Sequence, residues 1–451
     1  MLKRKIWKTL LDWKERNGNT ALAILGARQV GKSTTAREFG RNEFEQLIEI
    51  NFIDNAKAKN LFKEKNAKDI LQAIEAYTRI SIIPGKTLIL LDEIQECPAA
   101  RTAIKFLVEE GSCRYIETGS LLGVNFSEVQ SYPVGFEETA LMFPLDFEEY
   151  LWGLKMPEHI LLTLKNHYDN ETSIPESVHQ TFLNLFYTYL VVGGMPEVVQ
   201  SYVDNKNLLD VYRIQKNIID RYRLDVTRYA PASEKIKILS IFDQIPSELD
   251  NKNKRFMMSS ISKNARVSRY ENTFLWLEES GIGLACYNTS APIKPLEKNA
   301  KRSLFKLFLC DTGLLCAFFN ESIQLDLIQG AAGINSGSIL ENSFAQALRS
   351  KELPLFYYDS KKIGELDFVV QNGSSIDIFE IKSGNNYKDH KALNNAMKCK
   401  DWKFRKKIIF CKGNIERNDE ILYLPWYLIM FYEKEQLSNS VWDVDFSELL
   451  L

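Results

Sequence analysis

Apolar and polar positions fall into several regimes along the 451 residues. Near the start, Ala21-Leu22-Ala23-Ile24-Leu25 and Thr87-Leu88-Ile89-Leu90-Leu91 are unbroken apolar runs. Such runs fit strands buried on both faces of a parallel sheet. A third strand is predicted over 113–117. Residues 34–39, after the first run, have helical spacing and are expected to stop at Gly40. From 146 to 229 the period is helical, with Phe147, Tyr150, Leu151 and Leu154 on one face. Past Ser233 the pattern predicts three short helices (234–242, 256–261 and 269–277) and two strands (282–287 and 303–309). The last part predicts a helix from Gly337 and strands over 364–370 and 376–384. The chain therefore reads as an α/β protein in four modules: 1–145, 146–230, 231–325 and 326–451.

Composition narrows the class. Apolar residues make up 45% and charged residues 26%, enough for several globular cores. Seven scattered cysteines without a CxxC pair fit reduced thiols in a cytoplasmic protein. Four histidines without HExxH spacing argue against a zinc hydrolase. The first residues lack the apolar core of a secretion signal, and the run at 421–432 contains Pro425 and is too short to span a bilayer. Net charge is −2, but residues 251–310 hold eleven lysines and arginines against four acids. That local asymmetry points to an anionic partner, DNA being the expected one.

The sharpest chemistry lies between the first strand and its helix. Gly26-Ala27-Arg28-Gln29-Val30-Gly31-Lys32-Ser33, followed by Thr34, is G-x-x-x-x-G-K-S. The glycines let backbone N–H groups face a phosphate at a helix N-terminus. Lys32 is expected on the β- and γ-phosphates of ATP and the Ser33 hydroxyl on Mg²⁺. Asp92 and Glu93 end the second apolar run, Asp92 to hold Mg²⁺ and Glu93 to polarise the attacking water. Of the hydroxyls ending the third strand, Ser120 rather than Thr118 is the expected sensor of the γ-phosphate. The bland alternatives are a glycine turn and an Asp92 that merely caps a helix.

The segments GARQVGKST, LILLDEIQ, ETGSLLG, FPLDFEEYL and LVVGGMPEVV resemble a family of bacterial and archaeal AAA-type ATPases. That family carries a C-terminal domain of unknown function, DUF4143, with a nuclease-like fold. The resemblance implies a P-loop NTPase core, a helical lid over the nucleotide, and ATPase activity. Some members place a basic residue before the PL-FEE segment, as an arginine finger acting between subunits. Residues 133–138 here contain no Arg or Lys, which puts a ring-shaped oligomer in doubt. Pro196 fits the first position of a helix after the Gly193-Gly194 turn, a structural role. Arg221, Arg223 and Arg228 are lid residues that could reach a phosphate or simply be solvated.

The order of elements in the middle module is that of a winged helix, with Tyr270 and Thr273 facing outward beside Arg266 and Arg269. A basic loop (Lys294, Lys298, Lys301, Arg302) lies between its strands. In the last module, Glu341 on a helix, Asp367 on a strand and Glu380-x-Lys382 on the next follow the order of the PD-(D/E)XK nuclease fold. That resemblance puts Mg²⁺ on Asp367 and Glu380, with Glu341 in support and Lys382 orienting water. Two functions remain open. One is an ATPase coupled to DNA binding and metal-dependent nucleic-acid cleavage. The other is an ATP-dependent regulatory switch whose nuclease-like domain binds a partner and cuts nothing.

Overall fold

A computed structural model describes residues 2–16, 20–63, 66–120, 135–251, 254–257, 270–319, 324 and 337–435. The apolar runs become strands β1 (Ala21–Gly26), β2 (Gln46–Asn51), β3 (Thr87–Asp92), β4 (Arg114–Ser120) and β5 (Glu137–Leu141). They form one sheet in the order β2-β3-β4-β1-β5, parallel throughout. Strands β1 and β3 are buried along their whole length, because helices pack on both faces. Placing β4 between β1 and β3 sets the phosphate loop and the Asp92 carboxylate on either side of one strand end.

The helix after the phosphate loop runs Lys32–Glu43, so it does not stop at Gly40 as expected. A Cβ at Gly40 would lie 2.7 Å from Leu47 Cδ1 and 3.0 Å from Leu88 Cδ2. This glycine serves close helix–sheet approach, not termination. The region expected to be helical forms five helices: Phe147–Gly153, Glu158–Asp169, Glu176–Val192, Pro196–Asn205 and Leu208–Tyr229. Asp146 opens the first with a capping box to Glu149. Phe147, Tyr150 and Leu151 are buried.

In the middle, helices Lys235–Asp250 and Glu271–Glu279 precede an antiparallel hairpin of β6 (Gly283–Thr289) and β7 (Ala300–Leu309). Residues 256 and 257 are not helical; the rest of the expected second helix lies outside the described residues, as do Arg266 and Arg269. Thr273 does not face outward. It is fully buried and donates to Glu234 Oε2 at 2.6 Å. Lys301 and Arg302, expected in a loop, stand on β7.

The hairpin does not end its own module. Strand β8 (Leu355–Ser360) adds parallel to β6, and β9 (Gly364–Leu366) adds antiparallel to β8. Strands β10 (Phe368–Asn372), β11 (Ser375–Ile381), β12 (Lys406–Cys411), β13 (Glu416–Asn418) and β14 (Ile421–Pro425) form the last sheet, ordered β10-β11-β12-β14-β13. The helix Gly337–Arg349 packs against both sheets. One apolar core runs from Leu145 through the lid, hairpin and last sheet to Tyr432. Among the described residues no helix is long and apolar enough to cross a membrane.

Candidate functional site

The phosphate loop curls through two left-handed residues, Gln29 (φ 65°) and Gly31 (φ 95°). Glycine holds that conformation without the Cβ penalty. Arg4 clamps the loop from outside, donating to the Val30 carbonyl at 2.8 Å and to Glu149 at 3.2 Å. Lys32 Nζ donates to the carbonyls of Gly26 (3.1 Å) and Ala27 (2.8 Å). Burial pulls its pKa down to about 8, against the attraction of Glu93 and Asp92.

Asp92 gathers the polar groups expected around a bound cation. Ser33 Oγ donates to its Oδ1 at 2.6 Å, Asn51 Nδ2 to its Oδ2 at 2.9 Å, and the Thr118 hydroxyl to Oδ1. Of the two hydroxyls on β4, then, Thr118 and not Ser120 meets the carboxylate. Ser120 is buried beside Gly26, two residues on, and its Oγ has no hydrogen-bond partner. Hard oxygens of Ser33 and Asp92, side by side, fit Mg²⁺. Glu93 follows in a left-handed turn (φ 57°) and accepts from the Gln95 amide.

A cleft of about 500 Å³ joins these parts, lined by Arg28, Lys32, Ser33, Asp92 and Glu93. Its other wall is the lid, through Pro196, Glu197 and Gln200. Pro196, at the first position of its helix as expected, would lie 3.4 Å from a Cβ placed on Gly31. The lid arginines have carboxylate neighbours: Arg221 with Glu197 (3.8 Å), Arg223 with Asp220 and Asp243, and Arg228 with Glu96 (3.2 Å). Arg4 and Asn51 escape sequence reasoning, because nothing in local spacing ties residue 4 to 30 or 51 to 92.

The C-terminal carboxylates are arranged differently from the nuclease expectation. Lys306, on β7 and fully buried, lies 3.1 Å from Glu341 and 2.5 Å from Glu365. Burial opposes its charge, but Glu341, Glu365 and Asp367 outweigh it and hold its pKa well above the ordinary lysine value. Lys254 also pairs with Glu341. Asp367 interrupts the expected strand between β9 and β10, where its Oδ2 accepts the Ile381 N–H at 2.7 Å. Burial and the neighbouring Glu341 push its pKa up to about 7. Glu380 and Lys382 do share one side of their segment, 2.8 Å apart, and Glu380 also accepts the Leu393 N–H at 3.0 Å.

These residues do not fit a divalent cation. Lysines 254, 306 and 382 already lie against carboxylates 341, 365 and 380. Among the described residues no three His, Cys, Asp or Glu side chains are placed to hold a metal ion. Among the described residues, then, Glu341 and Glu380 of the expected metal set stand paired with lysines, and Lys306 bridges Glu341 and Glu365. An ammonium occupies the space between carboxylates that would otherwise repel.

Three family models match successive parts of the chain. Residues 18–151 match the AAA domain family, 183–324 match the domain of unknown function DUF8612, and 336–429 match the domain of unknown function DUF4143. An AAA-type, ATPase-like nucleotide-binding domain therefore occupies the first third of the chain. The chain thus combines an AAA domain with a C-terminal DUF4143 domain, the pairing that its sequence motifs resemble. Similar solved structures include the Walker-type ATPase Paby2304 of Pyrococcus abyssi (15% identity, 70% of this chain and 96% of that one, TM-score 0.44). Others are the Orc1 protein of Aeropyrum pernix in complex with DNA (13%, 73% and 91%, TM-score 0.28) and Cdc6p from Pyrobaculum aerophilum (14%, 73% and 96%, TM-score 0.25). No curated protein matches.

Proposed function

We propose that the chain binds and hydrolyses ATP in the cleft beneath the lid and acts as a nucleotide-dependent switch, without cutting nucleic acid. The convergence of Ser33, Asn51 and Thr118 on Asp92, beside Lys32, carries the ATP reading. In it the N–H groups of residues 28–34 cradle the phosphates and Lys32 neutralises them. Ser33 and Asp92 hold Mg²⁺, which supplies charge neutralisation at the phosphates. Glu93 takes a proton from the attacking water. Lys32→Ala should abolish ATP binding, whereas Glu93→Gln should retain it and slow hydrolysis by at least about a hundredfold. Equal ATP affinity in wild type and Lys32→Ala would sink the assignment.

The lysine-filled cluster supports a switch over a nuclease. Lys306 belongs to the hairpin and its carboxylates to the last module, so the ion pairs fasten the two together. In a Lys32→Ala background, Mg²⁺ or Mn²⁺ should leave the melting temperature unchanged. A metal-dependent rise that Asp367→Ala removes would restore the nuclease reading, as would metal-dependent nicking lost in Lys382→Ala.

Among the described residues, the basic loop of the DNA reading lies on the hairpin. Helix Glu271–Glu279 exposes Glu271, Asn272, Leu275 and Glu279, a face that phosphate would not favour. Lys298, Lys301 and Arg302 are exposed on and before β7.

A further inference from the structure

The phosphate loop carries a second cation, and the lid helix holds it. Arg28 Nη1 donates to Asp225 and Nη2 donates to the Tyr229 hydroxyl at 2.9 Å, with the guanidinium 5.0 Å from the Tyr229 ring centre. The Arg28 carbonyl accepts from the Tyr222 hydroxyl at 3.0 Å. Residues 222, 225 and 229 are spaced i, i+3, i+7 and so share one face of the helix Leu208–Tyr229. One side of the last two turns of the lid therefore grips a single residue of the phosphate loop. The same guanidinium lines the nucleotide cleft with Lys32 and Ser33 and lies near enough to Lys32 to lower its pKa.

We propose that Arg28 is a triphosphate-sensing residue that exchanges its Asp225 partner for a phosphate oxygen of bound ATP, and so releases the lid helix. The inference rests on the ATP reading above. A guanidinium binds carboxylate and phosphate by the same planar, charge-assisted geometry, so the two compete directly for Arg28. Asp225 is poorly suited to lose its partner. Its side chain is 6% exposed, its Oδ2 has no hydrogen-bond partner, and burial pushes its pKa up. A buried carboxylate without its cation is strongly disfavoured, so the exchange drives Asp225 toward water and the helix away from the loop. Tyr229 links the same helix end to Glu96, just after Glu93, at 3.3 Å. Lid movement would thereby be felt on both sides of the cleft.

The test is a double-mutant cycle on the full chain, reading equilibrium affinity for a fluorescent, non-hydrolysable ATP analogue and for ADP, with Mg²⁺. Arg28→Ala should weaken the triphosphate about tenfold and ADP much less. Asp225→Asn, which removes the competing charge and keeps the shape, should tighten the triphosphate severalfold. In the Arg28→Ala background Asp225→Asn should have no effect. Asp225→Ser serves if the asparagine variant melts early. Unchanged triphosphate affinity in Asp225→Asn, or an effect that survives Arg28→Ala, overturns the exchange. Loss of binding in Lys32→Ala under the same conditions keeps the ATP reading intact even then. Binding retained in Lys32→Ala would fault that reading instead.

Discussion

Lys32 is buried where its charge is costly, with Glu93 and Asp92 attracting and Arg28 opposing, and its pKa falls to about 8. In the unfolded chain it titrates near the ordinary lysine value of about 10.5. Between those values the folded state binds fewer protons, so the cost of the buried charge, present below pH 8, is relieved as pH rises through the window. Nucleotide binding runs the other way. Phosphate oxygens favour the ammonium, so above pH 8 binding must take up a proton and affinity falls by up to about tenfold per pH unit. Titration calorimetry in buffers of different ionisation enthalpy should find roughly one proton taken up per ATP near pH 9 and almost none near pH 6.5. Equal uptake at both would show that Lys32 is not the group. The lysine was legible from sequence because its chemistry is local, eight residues between a strand and a helix. Arg4 and Asp225 were not, since they reach the same loop from 26 and 197 residues away. That Thr118 meets Asp92 was not legible either, because only strand register shows which hydroxyl lies opposite that carboxylate.

Elements were read correctly where periodicity and burial agree. All-apolar strands and amphipathic lid helices appear with ends shifted by a few residues. Errors cluster where one residue bears two readings. Gly40 resembles a helix stop but exists for close packing, and Asp367 resembles a strand residue but breaks the strand to accept Ile381 N–H. The hairpin looked like a self-contained wing, yet its outer edge pairs with β8, a contact between residues about seventy apart. Its remaining free feature is charge. If Lys298, Lys301 and Arg302 touch duplex phosphates, replacing all three by Gln should flatten the slope of log affinity against log salt by about two to three units. Fluorescence anisotropy with a labelled duplex at several salt concentrations measures this. An unchanged slope would leave these residues as solvated surface.

Whole-molecule organisation turns on a buried polar knot that joins all four parts. Asp311, opening the helix Thr312–Phe318, accepts the Gly194 N–H at 2.6 Å and the Leu314 N–H at 3.0 Å. Gly194 returns its carbonyl to the Leu145 N–H at 2.7 Å, and the Tyr189 hydroxyl donates to the Leu145 carbonyl at 2.9 Å. Gln346, on the helix Gly337–Arg349, reaches the Tyr189 hydroxyl at 3.1 Å and accepts the Thr312 N–H at 2.9 Å. Side chains cannot enter: a Cβ on Gly193 would lie 2.3 Å from Asp311 Oδ1, and one on Gly194 would lie 2.0 Å from the Leu145 carbonyl. Two residues later Pro196 rests on the phosphate loop, so the knot lies between the nucleotide cleft and the C-terminal module. Asp311→Ala strands two buried N–H donors and should cost about 3 kcal/mol, with Asp311→Asn costing less because one acceptor remains. Since a single apolar core spans residues 145 to 432, that loss should not stay local. Hydrogen exchange in Asp311→Ala should rise together in the Gly193–Pro196 turn and in the helix Gly337–Arg349, while β1 and β3 keep their protection. Faster exchange confined to the helix Thr312–Phe318 would mean that the modules open independently and that the knot transmits nothing.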